Sequence, residues 1–168
     1  MPEIAWGKKV SGSFKTKVIS ICTNLGCDPS LLMAAMAFES AETFSPSIQN
    51  KQSGATGLIQ FMPKTAKGLG TTTDALAAMT DVEQLDFVAA YLKPFKGKMT
   101  SLSDVYMTIL LPSAVGKPEA FVLFKQGTKA YEQNKLLDIN KDGEITKNEA
   151  ASFVQKKLTK GMDASLRG

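Results

Sequence analysis

The 168-residue chain contains no histidine. That absence removes Ser–His and Cys–His nucleophilic catalysis and any His-ligated zinc site. Cysteine is scarce: Cys22 and Cys27 are the only two. A pair cannot build a disulfide framework, and their apolar setting predicts reduced, buried thiols. No apolar run approaches the roughly 20 residues of a membrane span. The opening stretch MPEIAWGKKVSGSFKTK lacks the apolar centre of a secretory signal. Internal repeats, low-complexity segments and long linkers are also missing. What remains is 43% apolar and 21% charged residues, the balance of a soluble globular protein, long enough for a single domain over residues 1–168. Any catalysis must rest on carboxylates, Lys, Tyr, Ser/Thr or a metal.

The net charge of +4 is concentrated at the two ends. Lys8, Lys9, Lys15 and Lys17 stand against Glu3, and Lys156, Lys157, Lys160 and Arg167 against Asp163. Basic ends suit a polyanionic partner, or are simply solvated. No glycine-rich or aromatic RNA-binding signature accompanies them, so nucleic acid is not expected as a partner.

Helical periodicity recurs along the chain and strand alternation is scarce, so the fold class expected is mainly α. A first helix is predicted over residues 13–25, stopped by Gly26. Asp28 is a good N-cap with Pro29 in the first turn. The helix behind it, predicted over 29–42, is rich in Leu, Met and Ala and reads as buried on most sides, with Ser45-Pro46 ending it. LIQFM, residues 58–62, has the look of a short extended piece. Pro63 opens a helix closed by Gly68 and Gly70. Thr80-Asp81-Val82-Glu83 is a capping box, and Pro94 ends the helix it starts. Another helix covers about 102–111, and Pro118 is expected to start one more.

One motif carries a specific chemistry. DINKDGEITKNE, residues 138–149, fits the D-x-[DN]-x-[DN]-G-x₅-E pattern of a calcium loop throughout. Asp138, Asn140 and Asp142 take positions 1, 3 and 5, and Gly143 allows the sharp turn. Glu144 offers a backbone carbonyl, Thr146 works through a water, and Glu149 is the bidentate ligand. Ile145 is the apolar anchor. Carboxylates and neutral oxygens in a large, flexible set suit Ca²⁺ over Mg²⁺. With helix-like flanks, the segment of about 125–160 reads as an EF-hand-type helix–loop–helix. A single loop is expected to act as a structural clamp rather than as a cooperative sensor.

A second stretch, MAFESAETFSPSIQNKQSGATGLIQFMP (residues 36–63), places Glu39 at the end of an apolar run. Glu39 shares a helix face with Leu32, Ala35 and Met36. Apolar neighbours and the negative end of the helix dipole both raise a carboxyl pKa, as a general acid near neutral pH requires. Glu42 would add like-charge pressure one turn on. The other reading is an ordinary surface acid where a helix leaves the core, and the physics of this stretch leaves both open.

The Phe-Glu-Ser and Gly-Leu-Ile-Gln elements, about 20 residues apart, resemble the lytic transglycosylase and goose-type lysozyme superfamily over roughly residues 28–70. Glu39-Ser40 is similar to its Glu-Ser motif, and Gly57, Leu58, Ile59 and Gln60 to its Gly-Leu-Met-Gln motif. The remainder, including SDVYMTILLPSAVGKPEAFVLF, resembles phage or prophage peptidoglycan-degrading proteins, and an EF-hand-type loop also occurs in some bacterial lytic transglycosylases. The resemblance implies a lysozyme-like helical fold with a long glycan cleft and Glu39 as the acid acting on the MurNAc–GlcNAc β-1,4 bond of peptidoglycan. It implies that Ser40 orients Glu39 or touches sugar, and that Ser53, Gln60 and Phe61 line the cleft. The family's Ala-Tyr-Asn-Ala-Gly motif has no counterpart. MTILLPSAVGK stands about in its place, leaving Tyr106 and Tyr91 as candidates for the sugar-placing tyrosine.

Two product chemistries stay open. A transglycosylase uses one carboxyl group and leaves a 1,6-anhydro end; a muramidase uses water, usually with a second carboxylate. Glu42 is the nearest second acid in sequence, with Asp74 and Asp86 behind it. The protein implied is an endolysin or virion-associated lysin, monomeric by default. It would be made in the bacterial host cytoplasm without a signal peptide and act at the cell wall or periplasm, where its basic ends would favour anionic surfaces. The rival readings are a non-catalytic, calcium-dependent glycan-binding module and a calcium sensor.

Overall fold

A computed structural model describes residues 1–168. It contains eight α-helices and one two-stranded antiparallel sheet, so the mainly α expectation holds. Helix α1 (Gly12–Leu25) starts where the Ser11 hydroxyl accepts the Phe14 N–H, and it ends at Gly26 in the left-handed region. Asp28 caps α2 (Pro29–Glu39), with Pro29 in its first turn. The six consecutive residues Leu32–Ala37 are all buried. Apolar on every side, α2 is the central helix, enclosed by α1, by α6 (Leu102–Leu110) and by α8 (Lys147–Gly161). Between α2 and α6 come α3 (Pro63–Gly68), α4 (Thr73–Ala78) and α5 (Asp81–Leu92). The capping box of α5 forms as expected, with Thr80 and Glu83 each taking the other's backbone N–H. The short helix α4 was not anticipated.

Two expected helices differ in the structure. The helix predicted over 29–42 stops at Glu39. The fully buried Ser40 hydroxyl donates to the Met36 carbonyl at 2.7 Å and accepts the Phe44 N–H at 2.9 Å. Ala41, Glu42 and Phe44 then take positive φ, which reverses the chain well before Pro46. The helix expected from Pro118 is a strand, β1 (Val122–Lys125), paired with β2 (Glu144–Thr146). The reason lies 20 residues away: the Gln126 N–H reaches the Gly143 carbonyl and the Lys147 N–H reaches Phe121, so the loop after residue 138 draws this segment out straight. Between β1 and β2 lies α7 (Lys129–Asn134), much shorter than the helical flank expected there. LIQFM is likewise not extended. Thr56 and Phe61 form a single bridge closing a tight turn.

The basic ends are not separate solvated tails. Ile4 and Gly168 exchange both backbone hydrogen bonds, and Arg167 pairs with Glu3 at 2.9 Å. One hydrophobic core runs from Ile4 to Val154. No single helix is long and apolar enough to cross a membrane.

The C-terminal segment is bolted to this core by a buried ion pair. Lys147 is 1% exposed and Asp104 7%. The Lys147 ammonium donates to Asp104 Oδ1 at 2.6 Å and to the Lys117 carbonyl at 2.7 Å. Burial opposes ionisation of Asp104, but Lys147 and the Gly116 N–H hold its carboxyl below the ordinary range. Removing one partner leaves a buried charge unmatched, at a cost of about 3–5 kcal/mol. Lys147→Met should therefore lose about that much stability in urea unfolding, far more than Lys125→Met, whose exposed pair with Glu144 is 3.7 Å long.

Candidate active site

Glu39 is the last residue of α2 and is half-buried at the edge of a cavity of about 550 Å³. One wall is built by Phe38, Asn50, Tyr106 and Leu110, and the other by residues 132–137. Burial alone pushes the Glu39 carboxyl up from 4.5 to about 7. The expected like-charge pressure from Glu42 is absent. With α2 ending early, Glu42 turns away to Lys157 and to Lys160, the latter at 2.6 Å, and these two cations hold its carboxyl low. Glu42 is therefore corrected from a candidate second acid to an ion-pair partner of α8. Asp86 pairs with Lys17 at 3.0 Å and Asp74 sits exposed in the first turn of α4; neither lines the Glu39 cavity.

Both candidate tyrosines stand close to Glu39. Burial raises the Tyr106 and Tyr91 hydroxyl pKa values, and the Glu39 charge adds to each. Tyr106 packs edge-on against Phe38 with ring centres 5.5 Å apart and lines the cavity. Tyr91 donates its hydroxyl to the Thr108 carbonyl and meets Phe61 edge-on at 6.2 Å.

The Gly57–Gln60 motif acts as scaffold. Gly57 has φ 85°, and a Cβ there would lie 2.2 Å from Gln84 Oε1. Only glycine permits both. Gln84 is fully buried: its Oε1 accepts the Leu58 N–H at 2.8 Å, and its amide donates to Pro46 and Leu76 at 2.9 Å. Gln60 itself, at φ 56°, donates to the Ile48 and Gly57 carbonyls. The Gln60 amide is thus spent on tying its own turn rather than offered to a cleft. Phe61 is 2% exposed and belongs to the core under Tyr91. Gln60 and Phe61 line only a separate cavity of about 50 Å³, not the one at Glu39. The Ser40 side chain is fully buried as the cap of α2, which removes the sugar contact and leaves it the part of ending the helix at Glu39. Ser53 is exposed and lines a neighbouring cavity of about 650 Å³ with Asn50, Gln52 and Met62. The wall contributed by Glu132, Gln133 and Asn134 was missed by the sequence reading. Those residues form an ordinary polar helix surface, and only the path of the chain brings them opposite Glu39.

In the 138–149 loop, Asp138 Oδ2 accepts the Gly143 N–H at 3.0 Å and the Tyr131 hydroxyl at 2.6 Å. Glu149 closes the far end: its Oε2 accepts the Ile139 N–H at 2.9 Å and its Oε1 the Thr146 N–H at 3.1 Å. Asn140 and Asp142 hydrogen-bond each other at 3.1 Å, and Glu144 donates its N–H to Asp142. Gly143 takes φ 88°. Ile145 is fully buried opposite Phe124. No three His, Cys, Asp or Glu side chains gather into one ligand cluster. Asp138 Oδ1, however, is buried with no hydrogen-bond partner, the one such side-chain atom in the molecule. An orphaned carboxylate oxygen at position 1, among hard oxygen donors, fits a cation.

Residues 18–108, more than half of the chain, match the family model of the Transglycosylase SLT domain. The chain belongs to this family, whose members are peptidoglycan-cleaving lytic transglycosylases. It is accordingly an enzyme, its substrate is peptidoglycan, and it acts on the cell wall. The non-catalytic binding module is thereby set aside. Among curated proteins, none matches the chain.

Burial that raises a carboxyl pKa also costs stability once the group ionises. The unfolded chain loses the Glu39 proton near 4.5 and the folded one near 7, so the native state binds more protons between these values and stability falls as pH rises through that window. Glu39→Gln should therefore melt like the parent near pH 4 and higher than the parent at pH 8, by about 1–3 kcal/mol. Equal melting temperatures at pH 8 would show that the carboxyl is not buried as described.

Proposed function

We propose that the protein is a phage-type lysin in which Glu39 is the sole acid/base of a lytic transglycosylase reaction on the MurNAc–GlcNAc β-1,4 bond. The observation that carries this reading is Glu39 itself: a carboxyl with no hydrogen bond or charged partner, held protonated to about pH 7 by burial, beside an open cavity. The protonated carboxyl gives its proton to the glycosidic oxygen as the bond to C1 breaks, releasing GlcNAc. The carboxylate then takes the proton of the muramyl 6-hydroxyl as O6 bonds to C1. The acid returns to its starting form, no water is consumed, and a 1,6-anhydro end results. Tyr106 lines the same cavity and is the residue best placed to hold the sugar; Ser53 would touch the strand further along. The phage setting, as endolysin or virion component, rests on the resemblance of the C-terminal half.

One observation favours a second chemistry. Glu132 is the other carboxylate lining the Glu39 cavity. A hydrolase with an inverting geometry needs such a second group to activate water. Mass spectrometry of digested peptidoglycan separates the two. Anhydro-muramyl ends are expected from the parent and from Glu132→Gln. Glu39→Gln should lose about 10²–10⁴-fold in rate, and the parent's kcat/KM should fall as pH rises past about 7, where the acid is spent. Reducing ends that vanish in Glu132→Gln would replace the transglycosylase reading with a muramidase.

The 138–149 loop is proposed to hold Ca²⁺ as a clamp, with Asp138, Asn140, Asp142 and Glu149 giving side-chain oxygens, Glu144 its carbonyl and Thr146 acting through a water. Support comes from the orphaned Asp138 Oδ1 and the hard oxygen set. Bound to the native state alone, Ca²⁺ at a hundredfold excess over Kd should raise the melting temperature by about 5–10 °C. The rise should be absent in Asp138→Ala. A melting temperature indifferent to Ca²⁺ would end the clamp reading.

A further inference from the structure

We infer that α7 and the turn after it form a sugar-binding wall lying outside the family-matched segment, and that Ca²⁺ in the 138–149 loop sets this wall's grip on the glycan strand. The inference rests on the glycan-cleft and calcium-loop readings above and adds a coupling between them.

Three observations carry it. First, the cavity at Glu39 and the adjoining cavity of about 650 Å³ share Asn50, Glu132, Gln133 and Asn134. The two therefore form one trough past the catalytic acid, with Lys129, Glu132, Gln133 and Asn134 of α7 along one side. The outer cavity has a single apolar lining residue, Met62, among amide, hydroxyl and charged groups. Such a lining suits the hydroxyls and N-acetyl groups of an amino sugar. Gln133 is exposed to the trough. Asn134 gives one amide N–H to the Ala130 carbonyl, which fixes its orientation.

Second, α7 is held from behind by the loop. Tyr131 is the one buried residue of α7, and its hydroxyl donates to Asp138 Oδ2 at 2.6 Å. The other oxygen of that carboxylate is the orphaned one, at the first position of the calcium loop. Leu136 and Leu137, which line the Glu39 cavity, lie immediately before Asp138 in the chain. A cation on Asp138 therefore acts on the same carboxylate that anchors the wall.

Third, α7 has few other anchors. It is a helix of only six residues, followed by the one-turn 3₁₀ helix Lys135–Leu137, and Glu132, Gln133, Lys135 and Leu136 are all exposed. Elements with so little buried contact occupy the low-stability end of a fold and respond to a nearby ligand. Ca²⁺ that orders α7 lowers the ordering cost the glycan must otherwise meet, and this is positive coupling.

Coupling of this kind is reciprocal, which supplies a test independent of turnover. In the Glu39→Gln protein, titration calorimetry measures binding of a GlcNAc tetramer with Ca²⁺ or with EDTA, and binding of Ca²⁺ alone or with the tetramer. The expected result is tetramer affinity about tenfold higher in Ca²⁺, with Ca²⁺ affinity raised by the same factor in the tetramer. Adding Tyr131→Phe should reduce both factors below about twofold while Ca²⁺ still binds. Gln133→Ala, on an exposed site that does not threaten folding, should weaken the tetramer severalfold and leave Ca²⁺ affinity in its absence unchanged. Ca²⁺ binding with tetramer affinity the same in Ca²⁺ and EDTA overturns the coupling. No heat from Ca²⁺ overturns the calcium reading and the inference with it. No tetramer binding in either condition overturns the sugar-binding wall.

Discussion

The buried pair of Lys147 and Asp104 is the constraint on which the working geometry depends. Asp104 sits in the first turn of α6, inside the family-matched segment, and Lys147 opens α8, outside it. The Lys117 carbonyl and Gly116 N–H complete the knot. An ammonium and a carboxylate removed from water this fully are held only where each has partners in place. The knot therefore fixes where α8 begins. Because Thr146 and Glu149 form the capping box of α8, it also fixes the closing end of the 138–149 loop and, through β2, the strand β1. The C-terminal third is in this way docked against the same core as α2.

That docking gives the cleft its second side. The family-matched segment supplies Glu39, the two tyrosines and the turn held by Gln84. Residues 132–137 line the cavity together with Glu39, whose carboxyl is raised by its burial. The cavity at Glu39 is thus lined both from the family-matched segment and from residues beyond it.

The site also shows how a motif residue can serve the chemistry without touching it. Gly57 admits the Gln84 amide, Gln60 ties the turn, Ser40 ends α2 at Glu39, and Phe61 supports Tyr91. The resemblance implies cleft roles for Ser40, Gln60 and Phe61, and each in fact has its polar or apolar surface committed within the protein. The residues facing the trough are a less distinctive set: Asn50, Ser53, Gln133 and Asn134 are common surface types that no periodicity marks out.

Read by itself, the chain determined what depends on neighbours in sequence. Gly26 and Asp28 set the break between α1 and α2, the Thr80–Glu83 box set the start of α5, and Glu39 was marked by its place at the end of an apolar helix. The regular spacing of residues 138–149 was legible for the same reason, since a loop of that kind encodes its own turn. Tertiary structure decided what depends on distant partners. The Pro118 segment is a strand because the loop 20 residues on offers an edge to pair with. Glu42 leaves the site because Lys157 and Lys160 arrive from α8. The second wall exists because the C-terminal segment, held by a buried ion pair, comes back against α2. Local preferences are properties of short stretches, whereas pairing, charge neutralisation and enclosure require atoms that only the folded path brings together.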